Sequence, residues 1–236
     1  MTTTLSPLTI ARTNLLDRFS YLALPWTILL SAFAVNIAIF ALLVTSDSDE
    51  DAVTGGMLSI FAYAFVLGIL SVAQGVGFSQ LLSASRRTYF LGTLVTAAAL
   101  SAIDGLGLAV LAALEPVTGG WGIDMTFFRW TWITESGFLS TWLVYAAFLG
   151  LAFSAGITYA VSYRRWGVIG SWLTALANAV VVLLAIALLV WIPGLGDATL
   201  DAFAALTPAG VGALALVVAA LLAGISWLML RRAPAR

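Results

Sequence analysis

Two places in this sequence put charge where chemistry could follow: Asp104, in LSAIDGLGLAV, and the pair Arg86-Arg87, in QLLSASRRTYFLGTLV. Both lie within or beside long apolar runs. An aspartate at the centre of a bilayer costs about 2.5–3.5 kcal/mol on insertion scales, so it turns towards protein. There it either packs against hydroxyls and amides, with Asn36 and Asn178 as the available amides, or takes part in moving protons or cations. Asp104 is the only acid inside any of the apolar runs, about 21 Å along a helix from Phe90. Asn36 and Asn178 are the mid-span polar groups of two other runs.

Much other chemistry is excluded by composition. The chain holds 236 residues, and its ten basic side chains are all arginine; lysine, histidine and cysteine are absent. Without lysine there is no phosphate-cradling Walker loop and no Schiff base. Without histidine or cysteine there is no Ser-His or Cys-His nucleophile, no zinc site of the usual ligands and no disulfide. A membrane aspartyl protease needs two intramembrane aspartates, and this chain offers one. No catalytic residue and no metal site is expected. The net charge of −1 gives no footing for nucleic acid.

The elements that must position these residues are membrane spans. Charged residues make up 9% of the chain, against about 25% in a soluble domain, and mean hydropathy is +1.07. The sequence predicts an all-α integral membrane protein, one transmembrane domain over 1–236. Apolar runs of about 20 residues cross a bilayer, and six are found: 22–44, 57–82, 89–114, 138–161, 167–192 and 208–230. Arginine bias sets their orientation. Arg12, Arg18, Arg86, Arg87, Arg164, Arg165, Arg231, Arg232 and Arg236 fall on one side and only Arg129 on the other, so both termini are expected to be cytoplasmic. The acidic loop residues mirror this, from Asp47 to Glu115 and on to Asp201.

Between spans three and four, 115–137 carries Trp121, Phe127, Phe128, Trp130 and Trp132. Such residues suit an aromatic belt lying at the outer interface; the other reading is a partly folded cap over an exit. The last outer connection, 193–207, suits a helical turn or two. Gly105, Gly107, Gly150, Ser154 and Gly156 are small enough for helices to approach closely.

The double arginine falls in a tight turn between spans two and three. Topology alone explains arginines there, but Phe78, Leu81, Leu82, Tyr89 and Phe90 flank them at spacings of a short amphipathic helix that could present a face to a soluble partner. LLSASRRTYFLGT resembles the inner connection of ATP-binding-cassette (ABC) export permeases of the type-2 family, and DRFSYLALPWTILLSAFAVNIAIF resembles their interfacial helix leading through Pro-Trp into the first span. The resemblance extends over the whole length.

It implies a permease without its own ATPase domain, working with a second permease subunit, identical in the simplest case, and two copies of an ABC ATPase that bind ATP and Mg. By this resemblance Gln80, Leu82, Ser85, Arg86, Arg87, Thr88, Tyr89 and Phe90 form a cytoplasmic coupling helix, with Ser85, Arg86 and Arg87 facing the ATPase. Arg164 and Arg165 make a second, smaller contact. Leu15, Leu16, Arg18 and Phe19 belong to an interfacial helix at about 9–20, and Asn36 and Asn178 lie on the two spans that make the dimer seam. The connection between spans five and six is short here and that between three and four long, so the outer side is built differently. The expected location is the plasma membrane of a bacterial cell. Two rival readings stand beside this one: an ion- or proton-coupled secondary transporter or channel using Asp104, and a non-transporting membrane scaffold.

Overall fold

The computed structural model describes residues 6–14, 17, 19–43, 52–53, 55–81, 85–192 and 194–231. Helices dominate. α1 (Pro7–Asn14) leads through a π-helical turn (Phe19–Ala23) into α2 (Leu24–Leu43); α3 (Leu58–Leu81), α4 (Arg86–Val117) and the short α5 (Thr131–Thr134) follow. Then come α6 (Phe138–Trp166), α7 (Val168–Trp191), α8 (Leu195–Ala205) and α9 (Pro208–Leu230). The one sheet among the described residues pairs β1 (Ala52–Val53) with β2 (Met125–Thr126) in parallel, Ala52 opposite Met125.

Five helical stretches are long and apolar enough to cross a membrane: Phe19–Leu42 and helices α4, α6, α7 and α9. In α3 the described apolar stretch is the shorter Leu58–Ala73. Leucine, alanine and valine favour helix once no water competes for backbone groups, and polar caps mark where two of these helices begin. Ser85 accepts from the Thr88 amide at 3.1 Å to start α4. Thr207 accepts from the Gly210 amide at 3.2 Å, with Pro208 in the first turn of α9. α6 turns into α7 through Gly167 alone, whose φ of 67° only glycine adopts without strain.

α6 is the hub, packing against α3, α4, α7 and α9. Its approach to α3 is set by two glycines. A methyl on Gly68 would fall 2.2 Å from the Phe153 carbonyl, and one on Gly156 would fall 2.0 Å from the Phe65 carbonyl. Gly105 fits α4 to α6 in the same way against Ala146. The core is divided. One cluster gathers Leu29, Met57, Leu108, Phe127, Phe128 and Tyr145 under the long connection after α4; the other gathers Ile10, Tyr89, Phe90, Phe153, Ile157 and Leu230 at the opposite end. That second end carries Arg86, Arg164 and Arg231. α7 stands apart, with Gly170 as its only buried residue.

Three expectations are corrected. The N-terminal helix does not run over 9–20: α1 ends at Asn14 and docks on α4, burying Ile10 and Ala11, with Ile10 against Gly92. Leu15, Leu16 and Arg18 lie outside the described residues, and Phe19 is 65% exposed in the π-helical turn. Gln80–Phe90 is not one lying helix: Gln80 is in the last turn of α3, and Arg86–Phe90 open α4. Finally, 193–207 holds more than a turn or two, since α8 spans 11 residues.

Candidate functional site

At the arginine-bearing end, side chains tie helix ends together. Arg86 Nη1 donates to the Leu230 carbonyl at 3.1 Å, closing the C-terminus of α9, where a cation also meets the negative end of the helix dipole. Four residues on, Phe90 lies on the same face of α4 and packs against Trp227 at 5.5 Å between ring centroids. The buried Tyr89 hydroxyl donates to the Ser71 carbonyl, and Arg164 Nη1 reaches the Val72 carbonyl at 3.4 Å. Ser71 also meets the Tyr21 hydroxyl through its own Oγ at 3.2 Å.

The residues predicted to couple to a partner thus divide by role. Ser85 caps α4 and bonds Thr88 Oγ1 at 2.8 Å; Arg86, Tyr89 and Phe90 face inward. Arg87 is exposed. Arg165 lies over the Trp166 ring at 4.5 Å, a cation–π contact. Leu82 is outside the described residues, and for Gln80 the backbone alone is described. Before α2, the exposed Asp17 accepts from the Ser20 amide at 3.2 Å, and hydrogen bonds from Ser20 hold its carboxyl below the usual carboxylate range.

Asp104 is 4% exposed, and Trp26 Nε1 of α2 donates to its Oδ1 at 2.9 Å. The partner is thus an indole, not the expected amides. Asn36 donates to the Ala32 carbonyl of its own helix at 2.8 Å and lies beside Gly56. Asn178 donates to the Tyr159 hydroxyl at 3.1 Å, linking α7 to α6. Gly107 makes room for the indole: a methyl there would sit 2.4 Å from the Trp26 ring.

The connection after α4 is a folded cap, not a belt. Met125, Phe127 and Phe128 are essentially inaccessible. Phe33 of α2 meets Trp121 and Phe127 edge-on at 5.0 Å each, and Phe127 meets Phe128 at 4.7 Å. A residue that was not singled out organises it. α4 continues past its expected end at 114 to Val117, so Glu115 sits in the last turn, 3% exposed. One oxygen, Oε2, accepts from Trp121 Nε1 at 3.1 Å, the Phe127 amide at 3.0 Å and the Phe128 amide at 2.8 Å. Oε1 is buried with no hydrogen-bond partner among the described residues. Tyr145 Oη donates to the Phe128 carbonyl at 2.8 Å from below. The loop so held has two non-glycine residues with positive φ, Trp121 (63°) and Asp124 (50°), a conformation that persists only where its surroundings impose it. The available signal was a lone acid ending an apolar run just before a Trp- and Phe-rich stretch.

Among the described residues no group of three His, Cys, Asp or Glu could hold a metal ion. The architecture is that of a predominantly helical protein with five helices long and apolar enough to cross a membrane. No family model, no curated protein and no solved structure matches the chain.

Proposed function

We propose that the chain is the permease subunit of an ATP-driven exporter of the ABC type-2 class. Two copies form the pathway, and each docks a separate ATPase subunit that binds ATP and Mg. Six helices cross a bacterial plasma membrane, α3 with the five others, and both termini are cytoplasmic. The copies meet along α2 and α7, the second of which is almost wholly bare.

The observation that carries this reading is the exposure of Arg87 at the opening of α4 while its neighbours are engaged. Ser85, Arg86, Tyr89 and Phe90 anchor the first turn of α4, and Arg87 is presented outward from a fixed mount. A rigidly mounted cation suits a docking contact through which closure of an ATPase moves the helices. This narrows the coupling contact to Arg87, with Arg165 of α6 as the second, smaller one.

The test is recovery of the ATPase subunit with the purified chain. Arg87→Glu is expected to lower recovery at least fivefold, from the loss of a charge-assisted contact, with insertion unchanged. Undiminished recovery would remove Arg87 from that role. The isolated chain is expected to hydrolyse no ATP, and turnover by clean protein would overturn the division of labour.

A second reading is supported by Asp104, a buried carboxyl whose one hydrogen-bond donor among the described residues is the Trp26 indole. In a proton- or ion-coupled secondary transporter or channel it would be the coupling group. A non-transporting scaffold would show neither ATPase recovery nor dependence of transport on Asp104.

A further inference from the structure

We infer that the groove between α3, α6 and α7 at the arginine-bearing end holds a membrane lipid with an anionic headgroup. Its phosphate lies at Arg164 and an acyl chain runs along Phe65 and Ile69. The groove encloses about 670 Å³, within the range of pockets that hold small ligands. Its composition changes along its length. Tyr163, Arg164 and Ser171 lie towards the α6–α7 turn at Gly167, level with Ala73 of α3; Phe65, Ile69 and Tyr159 lie further from that turn. From Ala73 to Phe65 is eight residues of α3, about 12 Å of rise. A polar mouth over an apolar trough has the shape of an amphiphile.

Charge selects the headgroup. Among the described residues no acidic side chain lines the groove, so none of them gives the Arg164 cation a counter-anion there. Its guanidinium carries five N–H donors in a planar fork suited to phosphate, one of them directed at the Val72 carbonyl over a long 3.4 Å. Tyr163 and Ser171 add hydroxyls at the same level. Basic pockets between membrane helices recruit anionic lipid headgroups in this manner. The apolar trough separates this occupant from a soluble anion, which would leave Phe65 and Ile69 uncovered. A groove flanked by α7, whose outer faces are bare, opens sideways to lipid. The site needs only a bilayer and stands whether or not an ATPase partner is found.

The experiment uses the full chain purified in detergent and stripped of lipid, then offered phosphatidylglycerol or phosphatidylcholine, with retention read by native mass spectrometry. The wild type is expected to retain phosphatidylglycerol and to retain phosphatidylcholine far more weakly. Arg164→Gln should weaken phosphatidylglycerol retention roughly tenfold, and Arg164→Lys should recover most of it. Ala73→Trp changes an exposed position at the mouth, leaves Arg164 in place, and should lower retention by obstruction. Equal retention of the two lipids by the wild type would overturn the proposal. So would unchanged phosphatidylglycerol retention in both Arg164→Gln and Ala73→Trp, or full displacement by inorganic phosphate, which would mark a soluble-anion site.

Discussion

The two ends of the bundle solve opposite versions of one problem. Helix ends leave backbone groups without intrahelical partners. Under the cap, Glu115 gathers donors: an indole N–H and two backbone amides converge on one carboxyl oxygen, within a packed set of aromatic rings. At the other end Arg86 supplies a donor to the Leu230 carbonyl at the C-terminus of α9, while Tyr89 and Arg164 donate to the Ser71 and Val72 carbonyls within α3. The cap buries Glu115, Met125, Phe127 and Phe128, whereas the arginine-bearing end leaves Arg87 exposed.

The sharpest way to break this contrast is Glu115→Ala. Three donors in a buried site would lose their acceptor, for an expected loss of about 3–5 kcal/mol, read as the unfolding midpoint in detergent. Glu115→Gln keeps an acceptor oxygen and should cost distinctly less. An alanine variant that melts with the wild type would mean the rings alone hold the cap. Next in size is Asp104→Leu, which strands Trp26 Nε1 at about 1–3 kcal/mol and should impair assembly. Asp104→Asn preserves an acceptor and should assemble and transport normally; loss of transport by a well-assembled Asp104→Asn would bring the second functional reading forward.

The arginine pair gives a smaller, more pointed comparison. Arg86→Gln releases the end of α9 and should cost about 1 kcal/mol, a discounted value for a half-buried bond. Arg87→Gln should stay within about 0.5 kcal/mol of the wild type, as surface changes do. Equal losses in parallel unfolding curves would erase the distinction between mount and contact. The smallest effect belongs to Asp17. Its carboxyl pKa is depressed in the folded chain, so its contribution is present above the usual carboxylate range and is lost as pH falls through the folded value. Protection of the Ser20 amide, its exchange rate relative to the intrinsic rate at the same pH, should therefore fall at acid pH, and Asp17→Asn should remove that dependence.

The helices were legible because a bilayer enforces length: the stretches read at 138–161, 167–192 and 208–230 reappear as Phe138–Trp166, Val168–Trp191 and Pro208–Leu230. The cap was not legible. Trp121, Phe127 and Phe128 have one composition whether they lie in an interface or fold inward. What decides is Glu115, which reaches residues 6, 12 and 13 positions ahead, spacings that follow no helical or strand period. Arg86 and Arg87 are chemically identical, and composition cannot separate them. Helical phase does: Arg86 shares the face of Phe90, which packs on α9, while Arg87 is turned about 100° away. Trp26 as the partner of Asp104 was hidden because an indole N–H 78 positions away leaves no local trace.

The single-residue link at Gly167 bears on biogenesis. With no loop between them, α6 and α7 cannot be delivered to the bilayer one after the other with slack between; they must enter as a hairpin. Mean hydropathy is 1.7 across the apolar window of α6 and 2.7 across that of α7, so α7 is expected to enter a bilayer more readily and to carry α6 with it. A chain ended after Trp166 is therefore expected to insert α6 poorly, seen as a protease-sensitive fragment in isolated membranes, whereas full insertion of α6 in that truncated chain would show that it needs no escort.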